Sequence, residues 1–398
     1  MMFTAYSGLL PLLRAEWNMS AGEAGLVQSA WHVGYLTSLF VVGFLSDHFG
    51  AKRTFLIGNI FAAGSAMAFA LATDGFVSAL FLHGLLGLCS GSSYTPGLTL
   101  ISERFGPQSR GRAMGFYLAA ASLGYAVSLL ASGVLVAVIG WRGVLTVAAC
   151  GPLTAAALTF YSLRETPNLV HPRSATPDSG SSLMMVLRNR PAMLLIWAYV
   201  FHSWELLGLW AWLPAYLAVS ATGSGDITVQ AVGVAALLSA ITYITSMAGS
   251  VAGGSLSDRW GRTTVVLAMS CASLACSFAF GWMLGLPLWL LLIVAIIYNL
   301  TGIGDSSVYS TAITELVPAR YLGAAYSIRS VLGFGAGAIS PWIFGLLLDW
   351  ARGGPLHSEA WAWGLAWTSL GVGALFGPLM TWRLRRLPAA SQMAGGKR

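Results

Sequence analysis

Apolar runs of about 20 residues, each long enough to cross a hydrocarbon layer as a helix, recur along the whole chain with short polar breaks between them. Eleven of these runs are full length. Lipid offers no hydrogen bond to a peptide group, so runs of that length are helices, and the weaker alternation of barrel strands is missing. The composition agrees: 56% apolar residues, 16 Trp and 9% charged residues exceed what a soluble core of 398 residues can hide. The fold class is therefore all-α, in a polytopic membrane protein.

The net charge of +7 is no nucleic-acid footprint, because Lys and Arg form no stripe. They lie in loops. With Asp47 on the cytoplasmic side and alternating spans, Arg14, Arg142 and Arg352 fall outside and Arg329 falls within a span. All the other Lys and Arg lie inside the cell, which is the positive-inside pattern and places the C-terminal tail there too. Cys89, Cys150, Cys271 and Cys276 lie in apolar runs without Cys/His ligand spacing, so free thiols, no metal and no cofactor are expected.

The spans fall near 26–45, 54–73, 76–101, 113–139 and 143–163, then near 192–217, 232–253, 265–284, 288–313, 324–348 and 361–382. Between the sets, 164–190 is rich in Pro, Ser and charge and reads as a cytoplasmic linker rather than a packed element. The first apolar stretch, 3–13, is too short to span and lacks the flanks of a signal peptide. It reads as the outer half of a first span whose inner half is lost through a misplaced start codon, or as an interfacial helix. The expected organisation is a six-span bundle over 1–163, the linker, a six-span bundle over 191–382 and a cytoplasmic tail over 383–398.

"GFLSDHFGAKR" (Gly43 to Arg53) returns as "GSLSDRWGRTT" (Gly254 to Thr264), at the same place in each half. The same shift superposes Gly91 on Gly302 and Gly124 on Gly335. Two copies of one phrase, in equivalent loops of two six-span halves, resemble the major facilitator superfamily over essentially the whole chain. That resemblance implies two pseudo-symmetric bundles rocking about a central site. Gly43 and Gly254 are expected to leave room for a neighbouring helix, and Gly50 and Gly261 to let the chain reverse. By the resemblance, Asp47 and Asp258 meet the positive N-terminal end of a helix in the other bundle and help hold the cytoplasmic side shut. Lys52, Arg53 and Arg262, with Arg259 in the second copy, either share that charge network or face lipid phosphates. His48 stands where the family usually has Arg.

An ionisable group in mid-bilayer costs at least about 2.5 to 3.5 kcal/mol and needs a partner or a watery cavity. His32, His83, His202, Glu205, Asp305 and Arg329 are such groups, and the resemblance puts those of the fourth, seventh and tenth spans on the central cavity. His83 departs from the family's usual arginine; it forms a stripe with Gly87 and Gly91 and either takes a proton role or bonds a neighbour as neutral imidazole. Helix rise puts Asp305 about 12 Å and Arg329 about 8 Å from the inner ends of their spans. They are expected to pair, as a structural salt bridge or as a clamp that exchanges Asp305 for a substrate carboxylate. Glu205 has His202 three residues back and no Lys or Arg on its span. A carboxyl so placed favours its neutral form, which suits a proton-coupling site as well as a Glu bonded to backbone or to an indole. Trp204, Trp210 and Trp212 wall the cavity or belong to an interfacial belt.

The fifth span lacks the Gly-Pro pair of many proton-driven drug exporters, and the second and eighth carry no Arg for nitrate. One buried Arg suits one carboxylate. The expected function is uptake of a small organic monoanion with a proton, by a monomer in contact with membrane lipid in a bacterial inner membrane. Export or uncoupled facilitation of another metabolite is the alternative. A transporter-like sensor would append an output domain, and a membrane enzyme would need a nucleophile or metal cluster in a loop; the sequence offers neither.

Overall fold

A computed structural model of the chain describes residues 1–105, 107–170, 179–222, 227–354 and 358–397, and leaves out the side chains of 47, 107–112, 114, 115, 118, 119, 179–182 and 319. Among the described residues there is no strand. The first half comprises α1 (Met2–Glu16), α2 (Ala21–Phe49), α3 (Ala51–Ala72), α4 (Phe76–Ser90), α5 (Thr95–Arg104) and α6 (Pro107–Ser162). After α7 (Ser179–Arg188) come α8 (Arg190–Thr222), α9 (Val229–Trp260), α10 (Arg262–Phe280), α11 (Leu288–Gly304), α12 (Ser306–Leu316), α13 (Leu322–Arg352), α14 (Glu359–Ala374) and α15 (Phe376–Arg385).

Nine helical stretches among these residues are long and apolar enough to cross a membrane. One of them turns at Gly140, where φ is 67°, and so contains two crossings. The pair α14 and α15 covers 361–382, so each of the eleven full spans expected from the sequence falls on helix. Three spans are broken rather than continuous: α4 and α5 by a 3-10 turn over Gly91–Ser93, α11 and α12 at Asp305, and α14 and α15 at Leu375. Such breaks free backbone groups, which lipid tolerates only where the protein buries them.

The face that carries Gly50, the linker and Gly261 is the linker face; the opposite one is the far face. The halves join where α2 packs on α13, α6 on α9 and α1 on α8. Glycines let the backbones touch: a Cβ on Gly25 would lie 2.2 Å from the Pro341 carbonyl oxygen, and one on Gly345 would lie 2.2 Å from that of Ala21. Helix α1 is a bundle member, with Tyr6, Leu9 and Leu13 fully buried, so it does not lie in the interface plane.

Several expectations need correction. The linker is not wholly unpacked: α7 lays Val186 into the second half's core beside Leu195, and the side chain of Asn189 bonds the Leu316 carbonyl and the Ala192 amide. Nor is the tail free, since Ala390 and Met393 are buried in the same core. Their apolar side chains are too few to show a period, but two suffice to dock a short turn. Gly43 also departs from its expected role, because a Cβ there would meet nothing within 4 Å. In the second copy the close approach belongs to Gly253, whose added Cβ would lie 1.8 Å from the Gly304 oxygen, and not to Gly254.

Overpacking such a contact costs about 1–3 kcal/mol. Gly253→Ala is therefore expected to lower the unfolding temperature of the detergent-solubilised protein, whereas Gly43→Ala leaves it unchanged or raises it; both are read by a thermal thiol-reactivity assay.

Candidate functional site

Helix α8 carries the centre of the site on one face, since Tyr199, His202 and Glu205 recur every third residue. Glu205, 4% exposed, accepts hydrogen bonds from Ser273 at 2.9 Å and Ser277 at 2.5 Å, both on α10. Ser277 also touches the Tyr298 hydroxyl of α11. The bonds expected from backbone or an indole are thus supplied by hydroxyls, whose placement on α10 at i and i+4 presents both to one carboxyl.

His202 turns the other way. Its Nδ1 lies 2.9 Å from Asp305 Oδ1, at ion-pair distance but outside hydrogen-bond alignment, and its Nε2 lies 2.8 Å from Ser306 Oγ. The expected Asp305–Arg329 pair does not form. Arg329 registers instead with Ser310, donating to its hydroxyl at 2.9 Å. Ser310 is five residues beyond Asp305, about 7.5 Å further along the span, too far for one guanidinium to reach both. The Arg329 guanidinium lies over Tyr199 at 4.6 Å and Tyr326 at 4.9 Å, and its Nε is buried without a partner among the described residues. Tyr94, from the first half and 37% exposed, is within Coulombic reach of it. The arrangement is a cation held on aromatic faces with donors to spare, ready for an anion.

The first-half histidines do not join this centre. His83 bonds the Val27 carbonyl at 2.9 Å through Nδ1 and stands between Tyr6 and Phe69, each ring 4.9 Å away. It fastens α4 to α2, and the stripe it begins continues that contact: a Cβ on Gly87 would lie 2.0 Å from the Trp31 oxygen. His32 faces the Gln28 carbonyl of its own helix at 3.2 Å and packs on Phe3 and Trp31. Trp204 packs on α14, donating to the Ser369 carbonyl at 3.3 Å, rather than walling the cavity. Trp210 is the indole at the junction of the halves, with its ring on Tyr125 and Tyr243 and its Nε1 on Asn299 at 2.9 Å.

At the linker face, Gly50 and Gly261 have φ of 87° and 94° and each makes the turn between two helices, α2 to α3 and α9 to α10, as expected of residues without a Cβ. Asn168 spans the first turn, donating to the Phe49 carbonyl at 2.8 Å and accepting from the Arg53 amide at 3.1 Å. The Asp47 side chain lies outside the described residues. Asp258 pairs with Arg262 at 2.5 Å, and among the described residues it makes no bond to the other half. Arg262, 8% exposed, also pairs with Glu315 at 2.9 Å and Ser257 at 2.7 Å, so it is a buried clasp and not a lipid anchor. Lys52 likewise donates to the Thr166 carbonyl at 2.6 Å, leaving Arg53 and Arg259 exposed. The tail adds to the clasp: the Ala394 amide donates to Glu315 at 3.2 Å and Lys397 to the Asp258 carbonyl at 2.7 Å.

A carboxylate does cap a helix of the opposite half, but at the far face. Asp349, near the end of α13, accepts from the Ala21 amide at 2.9 Å and the Gly22 amide at 2.6 Å, the first two residues of α2. Ser20 and Glu23 complete the same helix start as a capping box. Sequence reasoning passed over Asp349 because it sits one residue beyond an apolar run. The signal was available in the Ser-x-x-Glu start followed by small residues, and in an acid at the facing span end. Ser273, Ser277 and Tyr298 were missed because hydroxyls are common in spans.

The Major Facilitator Superfamily description matches residues 1–341. The chain belongs to the major facilitator superfamily. This member is 24% identical over 369 residues to the hexuronate transporter of Bacillus subtilis (strain 168), covering 87% of this chain and 84% of that one. It is 27% identical over 389 residues to the cis,cis-muconate transport protein of Acinetobacter baylyi, covering 94% and 88%. Among solved structures, a bacterial homolog to the human lysosomal transporter Spinster, inward-facing and unoccupied, has a TM-score of 0.76 at 14% identity, covering 100% of this chain and 95% of that one. The superfamily member is an integral membrane protein and a solute transporter, not an enzyme.

A carboxylate at a helix N-terminus is worth about 0.3–2 kcal/mol, so loss of the Asp349 charge is expected to open the far face roughly twofold to thirtyfold more often. Ser7, whose hydroxyl donates to the Trp210 carbonyl across the halves at 2.8 Å, offers the probe: alkylation of Ser7→Cys by an impermeant maleimide should speed up by that factor in an Asp349→Asn background.

Proposed function

We propose that this transporter takes up a small organic monoanion together with a proton, with the linker face and C-terminus in the cytoplasm of a bacterial inner membrane. The Lys and Arg bias of the loops supports that orientation. The observation that carries the reading is Arg329, a guanidinium held on Tyr199 and Tyr326 with no carboxylate in ion-pair distance among the described residues. Substrate carboxylate would take the unused donors as a bidentate pair. The similarity to a hexuronate transporter and a cis,cis-muconate transport protein supports an organic anion.

Glu205 is the proton carrier in this scheme. Among the described residues no Lys or Arg pairs with it, and its oxygens accept from Ser273 and Ser277. His202 and Asp305 lie within Coulombic reach of it and stand toward the anion site. Tyr199 underlies Arg329, its ring lies 5.6 Å from that of His202, and His202 faces Asp305. Neutralising Arg329 with substrate would release the field that this cation exerts along α8, so that anion and proton load together. Asp258, Arg262 and Glu315 then form the linker-face clasp, with Asp47 as its counterpart, and Arg53 and Arg259 meet lipid phosphates. The two six-span bundles move as units about this centre, and the protein works as a monomer.

Two outcomes follow in proteoliposomes given a panel of carboxylates. Glu205→Gln is expected to bind and exchange substrate but to lose accumulation driven by a pH gradient; uphill uptake by that variant removes the proton role from Glu205. Arg329→Gln is expected to raise the half-saturating concentration about tenfold to a hundredfold, the value of a charge-assisted bond of about 1.5–3 kcal/mol; an unchanged concentration removes the clamp.

A further inference from the structure

A cavity of about 540 Å³ opens at the far face, where α1 of the first half meets α8, α13 and α14 of the second. Its volume lies in the range of small-molecule sites. Ala15, Val219 and Ile227 line its apolar side, with Trp212 and Trp363 almost wholly buried behind them, while Arg14, Asn18, Arg352 and Glu359 supply polar groups. The central site uses none of these residues.

The two arginines differ in how they are held. Arg352 is engaged: its Nε and Nη2 donate to the two oxygens of Glu359, both at 2.7 Å, and the Trp363 indole donates to the same carboxylate at 3.0 Å. Burial pushes the Glu359 pKa up, but Arg352 outweighs it, so the net position is below the ordinary value and the pair persists at neutral pH. Arg14, in the last turn of α1, donates through Nε to the Met19 carbonyl at 3.1 Å. No carboxylate oxygen lies within 4.0 Å of it among the described residues. Burial and then Arg352 disfavour its charge while Asp349 and Glu359 favour it, and the net effect is downward. One anion beside Arg14 would offset both unfavourable effects, and its two Nη groups match a carboxylate's two oxygens.

The location gives that pairing a use. Arg352 follows the latch residue Asp349 by three positions on α13, so the cavity sits directly over the contact that shuts this face. The geometry points to a capture site in which an organic carboxylate docks on Arg14, beside Ala15, Val219 and Ile227, before the halves part. The assignment rests on the carboxylate reading of the central site.

Asn18, exposed at the cavity mouth, gives a test that needs no transport. In a chain whose four cysteines are alanine, Asn18→Cys is treated with anionic and cationic methanethiosulfonates of similar size. Arg14→Gln is expected to cut the anionic-to-cationic rate ratio about fivefold or more, and Arg14→Lys to restore it. D-Glucuronate, D-galactonate or nicotinate should slow modification in the Arg14 chain but not in Arg14→Gln. In uptake, Arg14→Gln should raise the half-saturating concentration about tenfold at unchanged maximal rate. A rate ratio indifferent to Arg14, or carboxylates that never protect Cys at position 18, overturns the capture site. If no carboxylate is transported but protection depends on Arg14, the central reading fails and the capture site stands.

Discussion

Hydrocarbon hydrates neither an ion nor a peptide group, and the whole molecule is arranged around that refusal. Its apolar runs become helices because no other single-segment structure satisfies its own backbone there. Its few intramembrane charges are then placed by the partners available to them. Glu205 has two serine hydroxyls, His202 has Asp305 and Ser306, and Arg329 has two tyrosine faces and Ser310. Two of these sets are incomplete among the described residues: the Arg329 Nε is unpartnered, and Glu205 has hydroxyl partners but no Lys or Arg.

The same physics builds a gate. A helix N-terminus carries unsatisfied amides and a partial positive charge. Where it meets a carboxylate of the opposite half, the two halves are drawn together by a contact weak enough to be undone. Asp349 makes that contact with α2, and the neighbouring glycines let α2 and α13 close until their backbones touch. At the linker face Asp258 is held within its own half by Arg262, whose second carboxylate, Glu315, lies on α12. An equivalent cross-half contact there would require Asp258 to leave Arg262, and the proposed alternation of the two faces draws on that exchange.

Much of this was legible in the sequence. Eleven full spans, the all-α class, the duplicated phrase and the left-handed turns at Gly50 and Gly261 all follow from hydropathy and from a motif repeated at one spacing. The buried ionisable residues were also legible as a set, because charge inside an apolar run stands out. Their pairing was not. Counting along isolated helices predicts depth but not register between helices, so Asp305 was matched with Arg329 when Ser310 holds that place. Sequence position also hid Asp349 beyond the end of a run, and composition hid the packed turns of α7 and the tail, since a docked segment needs only Val186, or Ala390 with Met393, to be buried. His83 looked like a displaced functional cation, yet its carbonyl bond and aromatic neighbours make it a fastening between α2 and α4.

The central claim is that the far face and the linker face close in turn, with the Asp349 contact holding the first of them shut. Pulsed electron-spin distances measured in nanodiscs test it most directly, with one label pair across the far-face ends of α2 and α13 and a second across the linker-face ends of α3 and α10. On acidification with a transported carboxylate, the account predicts populations in which the far-face distance lengthens as the linker-face distance shortens. Distances that lengthen together, or a far-face distance that stays fixed while substrate turns over, would contradict it.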